Sequence, residues 1–319
     1  MSPNPGNGIL IVDAGGNLVI NEALNIGDAA NASGVVTVNT GGTLTVNGNT
    51  TTIDSAVAPD FGTLNVNGGV FNEANDLIIG DANTGIVNVT NNGMATVGDD
   101  VIFGLSGGAG TLNINTGGVF EFRDDMFTVG GAGTINLDGG TLVSNHTAVF
   151  GNPDGKIHSG VNIVLLGTGG TIEVANSPAQ IDGNISGAGI PLTKTGPNTL
   201  EFNGNKTYTG VTTINEGTLY IRGGSGDGII RNDVIINNGG AFQLGTGNRV
   251  VNSAIITVNP GAIFNAGGQP EAFAYLAGGG DVINHTSTFE LDLGPEGPQE
   301  FSGTLTGGGN LRLRGNNGS

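Results

Sequence analysis

The sequence predicts an all-β fold, a parallel β-helix (β-solenoid) of about 12–13 coils, each of roughly 22–27 residues. Three observations lead there. Apolar and polar residues alternate in short runs such as 62–67 (GTLNVN), the pattern of half-buried strands. A glycine corner recurs: the glycine just before the second strand of each pair falls at Gly42, Gly69, Gly93, Gly118 and Gly140, one to a coil. No segment carries the helical period, so the helical crossovers of a globular parallel sheet are missing.

Taken in order, the elements repeat one theme, a short strand, a polar residue with one or two glycines, then a second strand. It appears at 36–46 (VTVNTGGTLTV), 64–71 (LNVNGGVF), 87–97 (VNVTNNGMATV), 112–122 (LNINTGGVFEF) and 135–143 (INLDGGTLV), and the marker returns at Gly170, Gly217, Gly240 and Gly261. Between the markers lies a third strand, at 24–29 (LNIGDA), 77–82 (LIIGDA), 101–104 (VIFG) and 127–130 (FTVG). Three strands per period make one turn of a solenoid, and at roughly 4.8 Å per rung the predicted rod is about 60 Å long. One coil is unstable alone, because its few inward aliphatics return ~1.5–3 kcal/mol each while backbone ordering costs ~1–2 kcal/mol per residue. Stacking reverses the balance by adding ladder hydrogen bonds and aliphatic contacts on both sides. The prolines of Met1–Gly8 predict an amino-terminal cap or tail, and residues 1–319 read as a single continuous solenoid.

Composition narrows the function. Aromatics are few (13 Phe, 3 Tyr, no Trp), so Val, Ile, Leu and Ala are expected to fill thin layers. The formal charge is −18, and before Lys156 the only basic residue is Arg123, which argues against nucleic acid and anionic membrane surfaces as partners. With no cysteine there are no disulfides, thiolate metal sites or Cys nucleophile. The apolar run Ile9–Val12 breaks at Asp13 with no basic residue before it, so a secretory signal was removed or the segment was excised. No apolar run reaches the length of a membrane helix.

Residues 183–221 (GNISGAGIPLTKTGPNTLEFNGNKTYTGVTTINEGTLYI) closely resemble the autotransporter-associated β-strand repeat, also called the passenger-associated transport repeat. Its motif of a Leu-x-Lys-x-Gly turn, a Thr-Tyr-x-Gly corner, Thr-x-Ile and Gly-x-Leu is met by Leu192, Lys194, Gly196, Leu200, Tyr208, Thr209, Gly210, Thr213, Ile214, Gly217 and Leu219. A second, truncated copy lies in 302–319, with Leu313 in place of the lysine. The resemblance implies a right-handed β-helix passenger, secreted or displayed at the surface of a Gram-negative-type bacterium. It also implies that a membrane anchor or barrel lies outside these residues, none of which would insert in the membrane. Lys194 and Lys206 are expected at corners of this coil.

Candidate chemistry is sparse. Asp99, Asp100, Asp124 and Asp125, two pairs separated by one coil length, read as stacked on adjacent coils, where they would bind Ca²⁺, act as acid and base on a polysaccharide, or form a solvated corner. Residues 223–228 (GGSGDG) approach a calcium-binding nonapeptide, but the aspartate, Asp227, comes one position early and the unit is not repeated, which favours a plain corner. His146, His158 and His285 are scattered, and no nucleophile turn is present, so no catalytic residue and no cofactor are assigned. An ice-binding face would need Thr-x-Thr on every coil, whereas the corresponding strands carry Asn-x-Asn, which suits exposed asparagine ladders. The expectation is a non-enzymatic structural or adhesive module, a stiff rod that self-associates end to end or meets a host or matrix surface. The competing class is a carbohydrate-active β-helix enzyme, a polysaccharide lyase or hydrolase.

Overall fold

The computed structural model describes residues 7–27, 33–54, 61–147, 155–223, 229–268, 270–284, 288–293 and 300–315. Most of the Met1–Gly8 cap, Asp227, His285 and the last residues of 302–319 lie outside them. The fold is an all-β parallel β-solenoid of about 12 turns, with no helix among the described residues. Two compact units divide it, Met1–Thr171 and Ile172–Ser319.

In the first unit each coil gives one strand to each of three parallel sheets. The first sheet has the longest strands, among them Ser33–Asn39, Phe61–Asn67, Thr84–Thr90, Ala109–Asn115 and Ala132–Asp138. The second includes Thr43–Val46, Val70–Glu73, Met94–Val97 and Val119–Phe122, and the third Thr51–Ile53, Leu77–Ile79, Val101–Phe103 and Met126–Thr128. Pairing is in register, so that Leu64, Val87, Leu112, Ile135 and Ile163 form one inward column. A strand's period of two turns that register into outward columns as well. Asn88, Asn113 and Asn136 each donate Nδ2 to the Oδ1 of the asparagine one coil earlier, at 2.8, 2.7 and 2.7 Å, beginning with Asn65.

The paired glycines of the corners do different jobs. Gly41 and Gly117 turn the chain at φ of 79° and 76°, a conformation open to glycine. At the next residue, a Cβ on Gly42 or Gly118 would strike the carbonyl oxygen of Val12 or Val89 in the coil below. Where Asn91 and Asn92 replace the turning glycine, they adopt the left-handed region instead.

The interior is less purely aliphatic than the composition suggests, because the few phenylalanines concentrate inside. Phe71, Phe103, Phe120 and Phe122 are buried in the first unit. In the second, Phe242 stacks on Phe264 at 5.5 Å, and Phe273 meets Phe289 edge-on at 4.7 Å.

The second unit rests mainly on two parallel sheets. One contains Leu192–Thr195, Thr212–Ile214, Val234–Ile236, Ile255–Val258 and Tyr275–Gly278. The other contains Ala179–Ile181, Thr199–Phe202, Gly217–Ile221, Gly240–Leu244, Ile263–Asn265, Asp281–Ile283 and Thr304–Thr306. Its third side is thin. After Ile185–Ser186 the described residues there form one isolated bridge, Ile230 to Val250, before a three-stranded sheet of Glu271–Phe273, Thr288–Leu293 and Asn310–Gly315 begins. Backbone groups on that side must find partners other than a ladder.

Candidate functional site

Two kinds of polar site stand out, buried charges inside the second unit and an acidic column with a groove on the first. Two of the buried charges, Lys206 and Glu271, lie in and beside the thin side, and the third, Lys194, lies at a corner between the two continuous sheets. Lys194 sits on strand Leu192–Thr195 and points inward, in the column that Ile214 and Ile236 continue. Its ammonium donates to the carbonyl oxygens of Thr195 and Gly196 at 2.7 Å and of Glu216, on the next coil, at 3.0 Å. Lys206 is 0% exposed; it donates to the oxygens of Ile181 at 3.1 Å and Asn203 at 2.5 Å, and its nitrogen lies 5.3 Å from the centre of the Phe202 ring. Burial pushes Lys194 down to about 8 and Lys206 to about 7, with nearby carboxylates opposing. Glu271 is the converse: buried, raised by burial to about 7, it accepts the backbone N–H of Arg249 at 2.8 Å and of Val250 at 3.3 Å. Lys206 and Glu271 thus supply donors and acceptors where the third side has no ladder, while Lys194 satisfies carbonyls of a corner.

Both lysines turn inward as ties, Lys194 from the end of its strand to the carbonyls of the following corner and Lys206 from the bend after strand Thr199–Phe202. The other motif residues are placed consistently with one packed coil. Leu192, Leu200, Ile214 and Leu219 are buried, while Gly196 and Gly217 turn at φ of 80° and 64°. Tyr208 is fully buried with its hydroxyl 2.7 Å from that of Thr212. Thr209 Oγ1 accepts the N–H of Gly189 at 2.9 Å, and Thr213 is stacked between Thr193 and Ile235. Gly210 fits against Ile190, whose carbonyl a Cβ would overlap.

On the first unit, Asp76, Asp100 and Asp125 each precede a strand of the third sheet, and those strands pair Leu77 with Val101 and Val101 with Met126. The aspartates accordingly stack. Asp100 N donates to Asp76 Oδ1 at 3.3 Å, Asp125 N to Asp100 Oδ1 at 3.1 Å and Lys156 N to Asp125 Oδ1 at 2.9 Å. Carboxylate oxygens of Asp76, Asp99 and Asp100 lie within 4.8 Å of one another. Burial, followed by the neighbouring charges, raises Asp100 to about 6 against the N–H of Asp125, and Asp76 is raised in the same way. Of the four aspartates singled out in the sequence, Asp99 and Asp100 share this cluster, and Asp124 and Asp125 are not in it. Asp76 was missed, though its place just before an apolar triplet, one coil length ahead of Asp100, marks it as the next rung. One oxygen from each carboxylate converges here, and their other three oxygens or water would have to complete the six to eight that Ca²⁺ takes.

Asp125 turns to His158, its Oδ2 lying 3.0 Å from Nε2. The pairing of Met126 with Ile157 sets Phe127 and His158 side by side on the outer face, with ring centres 6.0 Å apart. They line a groove of about 460 Å³ with Thr128, Ser159 and Gly160. Arg123 takes no part in it and pairs with Glu121 at 2.9 Å. His146 is buried beside Ser144, 3.3 Å from its hydroxyl.

The fold places the chain by class among the parallel β-solenoids, and one segment places it further. Residues 192–221 match the family described as the passenger-associated-transport-repeat. Among solved structures, a crystal structure of a TibA fragment hyper-glycosylated by TibC matches at 17% identity and a TM-score of 0.36, over 97% of this chain and 100% of that one. No curated protein matches.

Proposed function

We propose that this chain is a non-enzymatic passenger module, secreted or displayed at the surface of a Gram-negative bacterium, where a regular acidic solenoid serves structure or adhesion. The observation that carries the reading is the repeat match at 192–221, whose motif residues build one complete coil of the solenoid around Lys194 and Tyr208. A membrane barrel would be supplied by another segment. That Arg123 turns to Glu121 instead of facing the aspartate column supports a non-enzymatic role over a lyase or hydrolase. Self-association belongs to the proposal.

Protease shaving of intact source cells, followed by immunoblotting, tests the location. Loss of the signal from unlysed cells is expected, and full protection with the protein in the cytoplasmic fraction would refute the reading. Incubation with a polysaccharide panel should leave reducing ends and unsaturated products at background. Sedimentation at rising concentration reads self-association, which a strict monomer would exclude.

A further inference from the structure

We infer that the groove beside Asp125 and His158 is a binding subsite for a neutral sugar ring. Its volume, about 460 Å³, falls within the roughly 300–1,000 Å³ usual for small-ligand sites. The lining has the chemistry that a pyranose needs. Phe127 is half-buried and outward on its strand, so part of its ring is open to the C–H face of a sugar. Beside it, Asp125 offers carboxylate lone pairs as acceptors, His158 offers ring nitrogen, and Thr128 and Ser159 offer hydroxyls that donate or accept.

The arrangement is held from behind. The Asp125 side chain is fixed by the N–H of Lys156 through one oxygen and by His158 through the other. His158 is set by its own backbone, whose N–H donates to Met126 O at 2.9 Å and whose carbonyl closes the turn to Val161 at 3.0 Å. Gly160 keeps the rim open, because a Cβ there would collide with the Thr128 hydroxyl. Charge chooses among sugars. With Asp76, Asp99 and Asp100 clustered on the preceding rungs, phosphorylated, sulfated and uronic ligands are repelled, and a neutral ring is not.

This inference rests on the non-enzymatic reading only in treating the groove as a place of binding without turnover. The full chain is titrated with cellohexaose, maltohexaose, mannohexaose and xylohexaose, with dextran sulfate and spermidine as charged probes. Saturation-transfer NMR and calorimetry follow binding, and chromatography of the same mixtures follows chain length. Saturable binding of at least one neutral oligosaccharide is expected, weakened about tenfold or more by Phe127→Ala and to a similar extent by His158→Gln. The latter variant is at the surface and keeps the test alive should the former fold poorly. No neutral binding at 10 mM probe (about the weakest binding such a titration reads), binding indifferent to both variants, or equal binding of a charged probe would overturn the inference. Shortening of a bound oligosaccharide that requires Phe127 would uphold the subsite and overturn the non-enzymatic reading instead.

Discussion

Replacing Lys206 by methionine isolates what a buried ammonium does for the second unit. Burial lowers this lysine from 10.5 to about 7, which holds about 5 kcal/mol against the charged form. The two carbonyl bonds from the ammonium and the Phe202 ring favour the charged form and limit how far the value falls. At one pH this penalty is mixed with the packing change that methionine brings, so the slope of stability against pH is the better reporter. Between pH 7 and 10.5 the unfolded chain binds a proton here that the folded chain does not, so stability rises with pH. The penalty is complete below about 7 and gone above 10.5. From pH 7 to 9 the parent should gain about 2 kcal/mol more than Lys206→Met, which has no proton to release. Glu271, raised from 4.5 to about 7, acts in the opposite sense and below this window. Urea denaturation followed by circular dichroism at pH 7, 8 and 9 gives the two slopes. Parallel profiles for parent and variant would refute the account.

Three further outcomes are expected. Asp100→Asn keeps an oxygen for the N–H of Asp125 but removes charge from a crowded column. It should raise stability at pH 7 by on the order of 1 kcal/mol and remove the fall in stability that the parent shows as pH rises from 3.8 to about 6, while a thermal melt unchanged at both ends would contradict this. Gly210→Ala forces a methyl into the Ile190 carbonyl and should cost on the order of 3 kcal/mol in urea midpoint measurements; a neutral result would mean that the corner is not tight. Asn113→Ala interrupts the amide column between Asn88 and Asn136 and should cost about 1 kcal/mol, with amide exchange showing whether the loss stays in neighbouring coils.

The solenoid was legible because it is written in two periods at once. Alternation along Leu64 to Asn67 defined strands, and recurrence from Gly42 to Gly140 defined coils, so register followed from counting. The buried charges were not legible, since lysine in a Gly-rich coil looks like a surface residue. Lys206 and Glu271 turn inward beside the side that lacks a continuous ladder, and Lys194 turns inward to the carbonyls of a corner, and neither need leaves a mark on local pattern. The aspartate column was read in part. Two of its rungs were visible as adjacent acid pairs, while Asp76 stands beside Asn75 and Leu77 and gave no such signal. The groove escaped because Phe127 and His158 are distant in the chain and meet only through strand register.

The two-glycine corner has a consequence for how such a chain tolerates change. The markers from Gly42 to Gly140 are unevenly spaced, yet Val66 still faces Val89, and Val89 faces Ile114. The coil is thus indexed by its corners and not by its length. A peptide grafted into a bend leaves the next strand set by the rung beneath it, and only a bend as tightly tied as 80–83, where Asp81 and Asn83 bond to both neighbouring coils, resists insertion. A single residue deleted within Ile86 to Val89 would turn a whole face inside out. Variation is channelled to the bends, which suits a scaffold that must vary what it presents while keeping what it is.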